Sequence, residues 1–148
     1  MEPVPTTEMA EFNRLYKETD NTYTRYAASQ GISTTTLCVL YSLYISETPC
    51  TQTQLVEDWG IPMQTINSCL KALEKTGVVR LEFAAGNRKS KRILLSTQGE
   101  AMVRRIIAPL VEAENRALGA LEEAERHQLM ALTRKHNRML QGLLFGKE

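Results

Sequence analysis

Apolar residues recur along this chain with two different spacings, and the change of spacing divides it into parts. From about Thr7 to Ser29, the residues Phe12, Leu15, Tyr16, Thr19, Tyr23 and Tyr26 keep one stripe of a helix, and Gly31 offers a left-handed stop. Ser33 is placed to cap a second helix, whose stripe includes Leu37, Leu40, Tyr41 and Tyr44. Pro49 closes that stretch, because the residue before a proline avoids helical backbone. In "TQTQLVEDWG", Thr51 and Gln54 have the spacing of a capping box, in which each side chain satisfies the other's backbone N–H. The short helix ends near Trp59–Gly60, and Pro62 suits the first turn of the next one, where no N–H is missed. In that next helix Ile66, Leu70 and Leu73 face a core. Its opposite side carries Gln64, Thr65, Asn67, Ser68 and Lys71, which are not the Glu/Lys pairs of an ordinary solvated face. Two short helices joined by a tight turn containing Gly predict a helix-turn-helix.

After Gly77 the period drops to two. Val79, Leu81 and Phe83, then Ile93 and Leu95, alternate around a polar turn, which predicts a hairpin with a loop at residues 86–90. Arg88, Lys89, Lys91 and Arg92 sit at its tip, so the helix-turn-helix gains a basic wing. Thr97 and Glu100 offer a second capping box for a long helix carrying Met102, Val103, Ile106, Ile107, Leu110 and Val111. Pro109 is expected to kink it. A last helix, near residues 124–144, bears Leu129, Leu132, His136, Met139, Leu140, Leu143 and Leu144. The terminal stripes exceed what the small centre can cover, and a second copy of the chain is the economical partner.

Length and composition narrow the class. With 148 residues, 43% hydrophobic and 24% charged, the chain can bury a core and has no run of apolar residues long enough for a membrane span. Its first dozen residues are acidic and lack an apolar segment, so a cytoplasmic location is expected. A net charge of +1 conceals an uneven distribution. Residues 1–60 hold three basic and eight acidic side chains, residues 61–92 seven and two, and residues 93–148 eight and seven. The +5 middle is where a phosphate backbone would bind.

Chemistry beyond binding finds little support. Cys38, Cys50 and Cys69 form no Cys-x-x-Cys pair, and His127 and His136 are nine apart, so no metal or cofactor is expected. No phosphate loop, nucleophile elbow or paired-carboxylate motif points to an enzyme.

The order of these elements, and three stretches in particular, resemble the multiple-antibiotic-resistance regulator (MarR) family. "TQTQLVEDWGIPMQTINSCLKALEKTGVVRLE" is similar to the family's helix-turn-helix and its exit into the wing. "ILLSTQGE" is similar to the V-x-L-T-x-x-G joint that follows the wing, and "APLVEAENRALGAL" to the Pro-containing helix after it. The family's wing usually has an Asp-x-Arg pair, whose positions are Asn87 and Lys89 here. The resemblance implies a mainly α fold with a small β-hairpin wing. Residues 1–32 and 97–148 would serve dimerisation, and residues 33–96 DNA binding. It also implies an effector pocket between these parts.

Together these readings predict a homodimeric, sequence-specific regulator of transcription bound to a palindromic operator in double-stranded DNA. A repressor controlled by a small molecule or by thiol oxidation is the expected form; a winged-helix adaptor for a protein partner is the alternative. Gln64, Thr65, Asn67 and Ser68 are the candidate base contacts, since amides and hydroxyls pair with base edges. Lys71, Arg88, Lys89, Lys91 and Arg92 are the candidates for phosphate or minor groove. Tyr16, Tyr23, Tyr41 and Tyr44 are candidates for an effector pocket, although a stripe of this spacing also suits a core. Cys69, beside the base-reading face, is the candidate redox site.

Overall fold

A computed structural model describes residues 2–84 and 86–146, with no side-chain description at residues 84 and 87–90. Among these residues six helices and one hairpin follow in order: α1 (Thr7–Ser29), α2 (Thr34–Ile45), α3 (Gln52–Trp59), α4 (Met63–Lys75), β1 (Val79–Ala84), β2 (Asn87–Leu95), α5 (Thr97–Gly119) and α6 (Glu123–Phe145). The chain divides into two compact units, residues 1–108 and 109–148, with the boundary at Pro109 inside α5.

Most helix starts follow from side-chain caps. The hydroxyls of Thr6 and Ser33 accept from the N–H groups of Met9 and Thr36, and Thr51 and Gln54 close the expected capping box. Pro62 sits one residue earlier than expected, at the cap of α4 itself. The start of α5 departs from the expected Thr97/Glu100 box. Ser96 is the cap, accepting from Gly99 N–H at 3.0 Å while Glu100 N–H donates to the Ser96 carbonyl. Ser96 also donates through its hydroxyl to the carbonyls of Gly77 and Val78, a tie that Thr97 is one residue too late to make.

The core of the first unit gathers the predicted stripes. Leu40, Leu55, Ile66, Leu70, Ile93, Ile106 and Ile107 are almost wholly withdrawn from solvent. Helix α2 buries Val39 and Ser42 beside its expected stripe, because it is packed by α1, α3, α4 and β2. Helix α1 buries only Ala27, and the Tyr26 hydroxyl donates to the Ile106 carbonyl at 2.6 Å.

The hairpin is tighter than its sequence suggests. Asn87–Leu95 all belong to β2, which thus begins inside the expected loop, and Lys91 and Arg92 lie along the strand opposite Phe83 and Glu82. Gly86 has φ +77, the left-handed backbone a short reversal needs, and a register irregularity follows Phe83. On its far side β2 is extended by Thr51 opposite Arg92 and by Ile93 N–H donating to the Cys50 carbonyl.

In the second unit, α6 begins with a capping box between Glu122 and Glu125 and buries none of its residues. Its Leu129, Leu132, Met139, Leu140, Leu143 and Phe145 are all exposed. No helix among the described residues is long and apolar enough to cross a membrane.

Candidate nucleic-acid interface

Helix α4 is held by one face and offers the other. Ile66, Leu70 and Leu73 are buried against the first unit's core, while Gln64, Thr65, Ser68 and Lys71 are exposed. The turn before it is set by Gly60, whose φ of 62° and ψ of 21° close α3 in left-handed backbone. Trp59, the last residue of α3, fixes that same end. Its indole N–H donates to the buried Ser42 hydroxyl at 2.7 Å, and its ring meets Tyr41 edge-on at 6.0 Å.

Asn67 is different from its neighbours. It is half-buried, and its side-chain oxygen accepts from Gln52 Nε2 at 3.4 Å across the helix-turn-helix. It also lines an open groove of about 500 Å³ between α4 and the wing, together with Lys71, Glu74, Lys75, Leu81 and Lys91. Three ammonium groups against one carboxylate make this groove attractive to a polyanion.

On the wing, the Lys91 ammonium lies 5.3 Å from the centroid of the half-exposed Phe83 ring. An aromatic face steadies a cation without neutralising it, so Lys91 keeps its charge for an outside partner. Arg80 and Glu82, by contrast, pair with each other at 2.8 Å. Arg92 is half-buried, and its Nε is buried with no hydrogen-bond partner among the described residues. The side chains of Arg88 and Lys89, and of Asn87, lie outside the described residues.

Two residues in this region were not singled out from sequence. Lys75 stands one turn beyond Lys71, so its spacing was a readable signal. Gln52 carried none, because its partner is fifteen positions away and only the fold joins them.

Tyr16, Tyr23, Tyr41 and Tyr44 line neither the groove between α4 and the wing nor the cavity beside Cys50. Tyr16 is 66% exposed and stacks with Phe12, Tyr41 packs on Trp59, Tyr23 is half-buried and Tyr44 is at the surface. That cavity, of about 270 Å³, lies among the end of α2, the loop through Cys50, β2 and Glu100. Among the described residues no cluster of three or more His, Cys, Asp or Glu is arranged to hold a metal ion.

Burial raises the Cys69 thiol above its ordinary value of 9.0, with the Thr36 hydroxyl at 3.5 Å opposing the shift. Cys38 is raised likewise, by burial first and by Cys69 in addition. An easily oxidised thiol needs the opposite direction, toward thiolate at neutral pH.

Helix α4, packed on α2 and α3 beside a charged hairpin, defines a winged helix-turn-helix fold. Comparison with known proteins carries this further. Residues 30–90 match the sequence model of the MarR family. The HTH-type transcriptional regulator PecS of Dickeya dadantii is 34% identical over 79 residues, covering 53% of this chain and 48% of PecS, so the match spans about half of that relative's length. NMB1585, a MarR family regulator from Neisseria meningitidis, superposes with a TM-score of 0.80 at 17% identity, covering 94% of this chain and 97% of NMB1585. The Staphylococcus aureus MepR–DNA complex superposes with a TM-score of 0.72 at 22% identity, covering 93% of this chain and all of MepR. Residues 30–90 are thus similar to MarR-family sequence, in a chain whose backbone follows the fold of solved MarR family regulators. PecS and NMB1585 are named as regulators, and no enzyme is among the three.

Proposed function

We propose that this chain is a DNA-binding regulator of transcription that acts as a homodimer on a palindromic operator. The observation that carries the reading is the groove between α4 and the wing. It pairs an exposed face of amides and hydroxyls with Lys71, Lys75 and Lys91. Gln64, Thr65, Asn67 and Ser68 meet base edges in the major groove, and the lysines meet phosphate. Arg88, Lys89 and Arg92 add positive charge along the wing. Solved relatives support the assignment, one of them a complex with DNA.

Dimerisation is inferred from apolar surface that each unit leaves uncovered: Met9, Phe12, Leu15 and Tyr16 in the first, and the α6 leucines with Phe145 in the second. A second copy would bury these and set two recognition helices about one duplex turn apart. Repression relieved by a small molecule is the form of control this reading carries. A ligand that favours one spacing of the two recognition helices would shift the population toward it. Tyr16, Tyr23, Tyr41 and Tyr44 stay the candidates for its contacts.

The test is fluorescence anisotropy with random and selected duplexes over a range of salt. Binding whose logarithm falls linearly with the logarithm of salt concentration, and which favours selected over random sequence, is the expected result. Indifference to duplex DNA at low ionic strength would refute the proposal.

A further inference from the structure

We propose that Gln52 determines which base Asn67 reads, by holding the Asn67 amide in one of its two orientations; this rests on the DNA-binding reading above. Gln52 is the first residue of α3, where the capping work is already done by Thr51 and Gln54. Its own amide is therefore available, and Nε2 donates to Asn67 Oδ1 at 3.4 Å. Both residues are half-buried, so this bond is partly shielded from competing water.

The consequence follows from amide geometry. The oxygen and nitrogen of a planar amide diverge from one carbon, so drawing the oxygen toward α3 swings the NH2 group away from it. Asn67 also lines the groove between α4 and the wing. An untethered asparagine can turn either end outward and pairs bidentately with adenine, using one donor and one acceptor. A tethered one offers the groove a donor. In the major groove a donor suits N7 and O6 of guanine or O4 of thymine; adenine offers N7 alone, beside an amino group that repels the donor, and cytosine offers only an amino group. Asn67 is thereby made a reader of acceptor edges, with guanine, which presents two, the best fit.

Replacing the tether's donor by an acceptor reverses the logic. In Gln52→Glu the carboxylate can only accept, so the Asn67 amide turns over, donates to Glu and presents Oδ1 to the groove. The preferred base at that position then becomes one with an amino group, cytosine or adenine. Gln52→Ala frees the amide and broadens the preference.

Selection of bound duplexes from a random pool tests this, run in parallel with wild type, Gln52→Glu, Gln52→Ala, Asn67→Ala and the double variant Gln52→Glu/Asn67→Ala. Wild type is expected to enrich guanine or thymine at one position per half-site, by about five- to tenfold, as one good hydrogen bond would give. Asn67→Ala loses that enrichment, Gln52→Glu moves it to cytosine or adenine, and the double variant shows neither. Guanine replaced by 7-deazaguanine at the selected position should weaken wild-type binding by the same factor, an arm that needs no variant to fold. A purely structural role for Gln52 would lower affinity for every duplex and leave the base preference where it was. That result, or an unchanged preference in Asn67→Ala, overturns the inference while leaving DNA binding intact. No enrichment of any sequence by the wild type removes both.

Discussion

Gly99, in the joint between wing and α5, allows a prediction whose sign separates two physical effects. On helix propensity alone, Gly99→Ala inside α5 stabilises by about 1 kcal/mol. The structure says otherwise. A Cβ on Gly99 would stand 2.1 Å from the Val78 carbonyl oxygen and 3.0 Å from a Leu95 methyl, and Val78 is a buried residue whose obstructing atom is backbone. Real Cβ atoms do not approach closer than 3.0 Å, so α5 and the start of β1 must separate by about 0.9 Å. The bonds from Ser96 N–H and Ser96 Oγ to that same carbonyl, 3.0 and 3.1 Å long, then stretch to near 4 Å and are lost. The cap from Ser96 to Gly99 N–H, at 3.0 Å, is disturbed with them. At about 1 kcal/mol for each of the three, less the propensity gain, the net loss is about 2 kcal/mol. For a chain of this size that is a fall in Tm of about 4–8 °C. Thermal unfolding followed by circular dichroism at fixed protein concentration reads it. A Gly99→Ala protein that melts at or above the wild-type temperature would refute the close-approach argument.

Further outcomes follow from other contacts. Lys91→Ala should weaken binding to all duplexes alike and lower the magnitude of the log–log salt slope by about 0.9, one phosphate contact, with anisotropy as the assay; a change of sequence preference instead would place Lys91 on a base. Leu140→Asp should weaken the homodimer roughly a thousandfold in sedimentation equilibrium, because both copies lose a buried leucine at about 2 kcal/mol each. An unaltered dimer would exclude that face from the interface. For Cys38 and Cys69 the folded value lies above the unfolded one, so the folded protein holds more protons between the two. That contribution to stability is complete below the unfolded value and lost as pH rises through the folded one. Both thiols should therefore react with iodoacetamide more slowly at pH 8 than in unfolded chains; faster native reaction would reverse the assignment. Ser42→Ala removes the acceptor of the single tryptophan's N–H and should shift Trp59 emission to longer wavelength, with a stability loss of about 1 kcal/mol or less since the ring is partly exposed.

Much of this fold could be read locally. Helix α1 ends where its stripe ends, and the Thr51–Gln54 box lies within four residues, so neither needs the rest of the chain. The α5 cap was misplaced because Ser96, Thr97 and Glu100 satisfy similar spacing rules. The choice was made by Gly77 and Val78, nineteen and eighteen residues away, whose carbonyls only Ser96 reaches. The hairpin loop looked longer because its polar residues Asn87, Arg88, Lys89 and Ser90 resemble a turn in composition. Backbone conformation, which composition does not encode, draws them into β2, where Asn87 pairs with Ala84 and the register then shifts to Lys91 opposite Phe83. For the site, the helical period separated the face of Gln64, Thr65, Ser68 and Lys71 from the core face of α4. It could not show that Asn67 is held by Gln52, nor that Tyr41 is engaged by Trp59, since both depend on how helices cross.

The central claim is that two copies of the chain engage successive turns of one duplex, each through α4 and its wing. It is tested most directly by moving the half-sites of a selected palindrome apart by five base pairs, half a helical turn, and measuring affinity together with the number of chains bound. The account predicts two chains per selected duplex and a loss of at least tenfold when one half-site is rotated to the opposite side. Equal affinity for both spacings, or one chain bound per duplex, would contradict it.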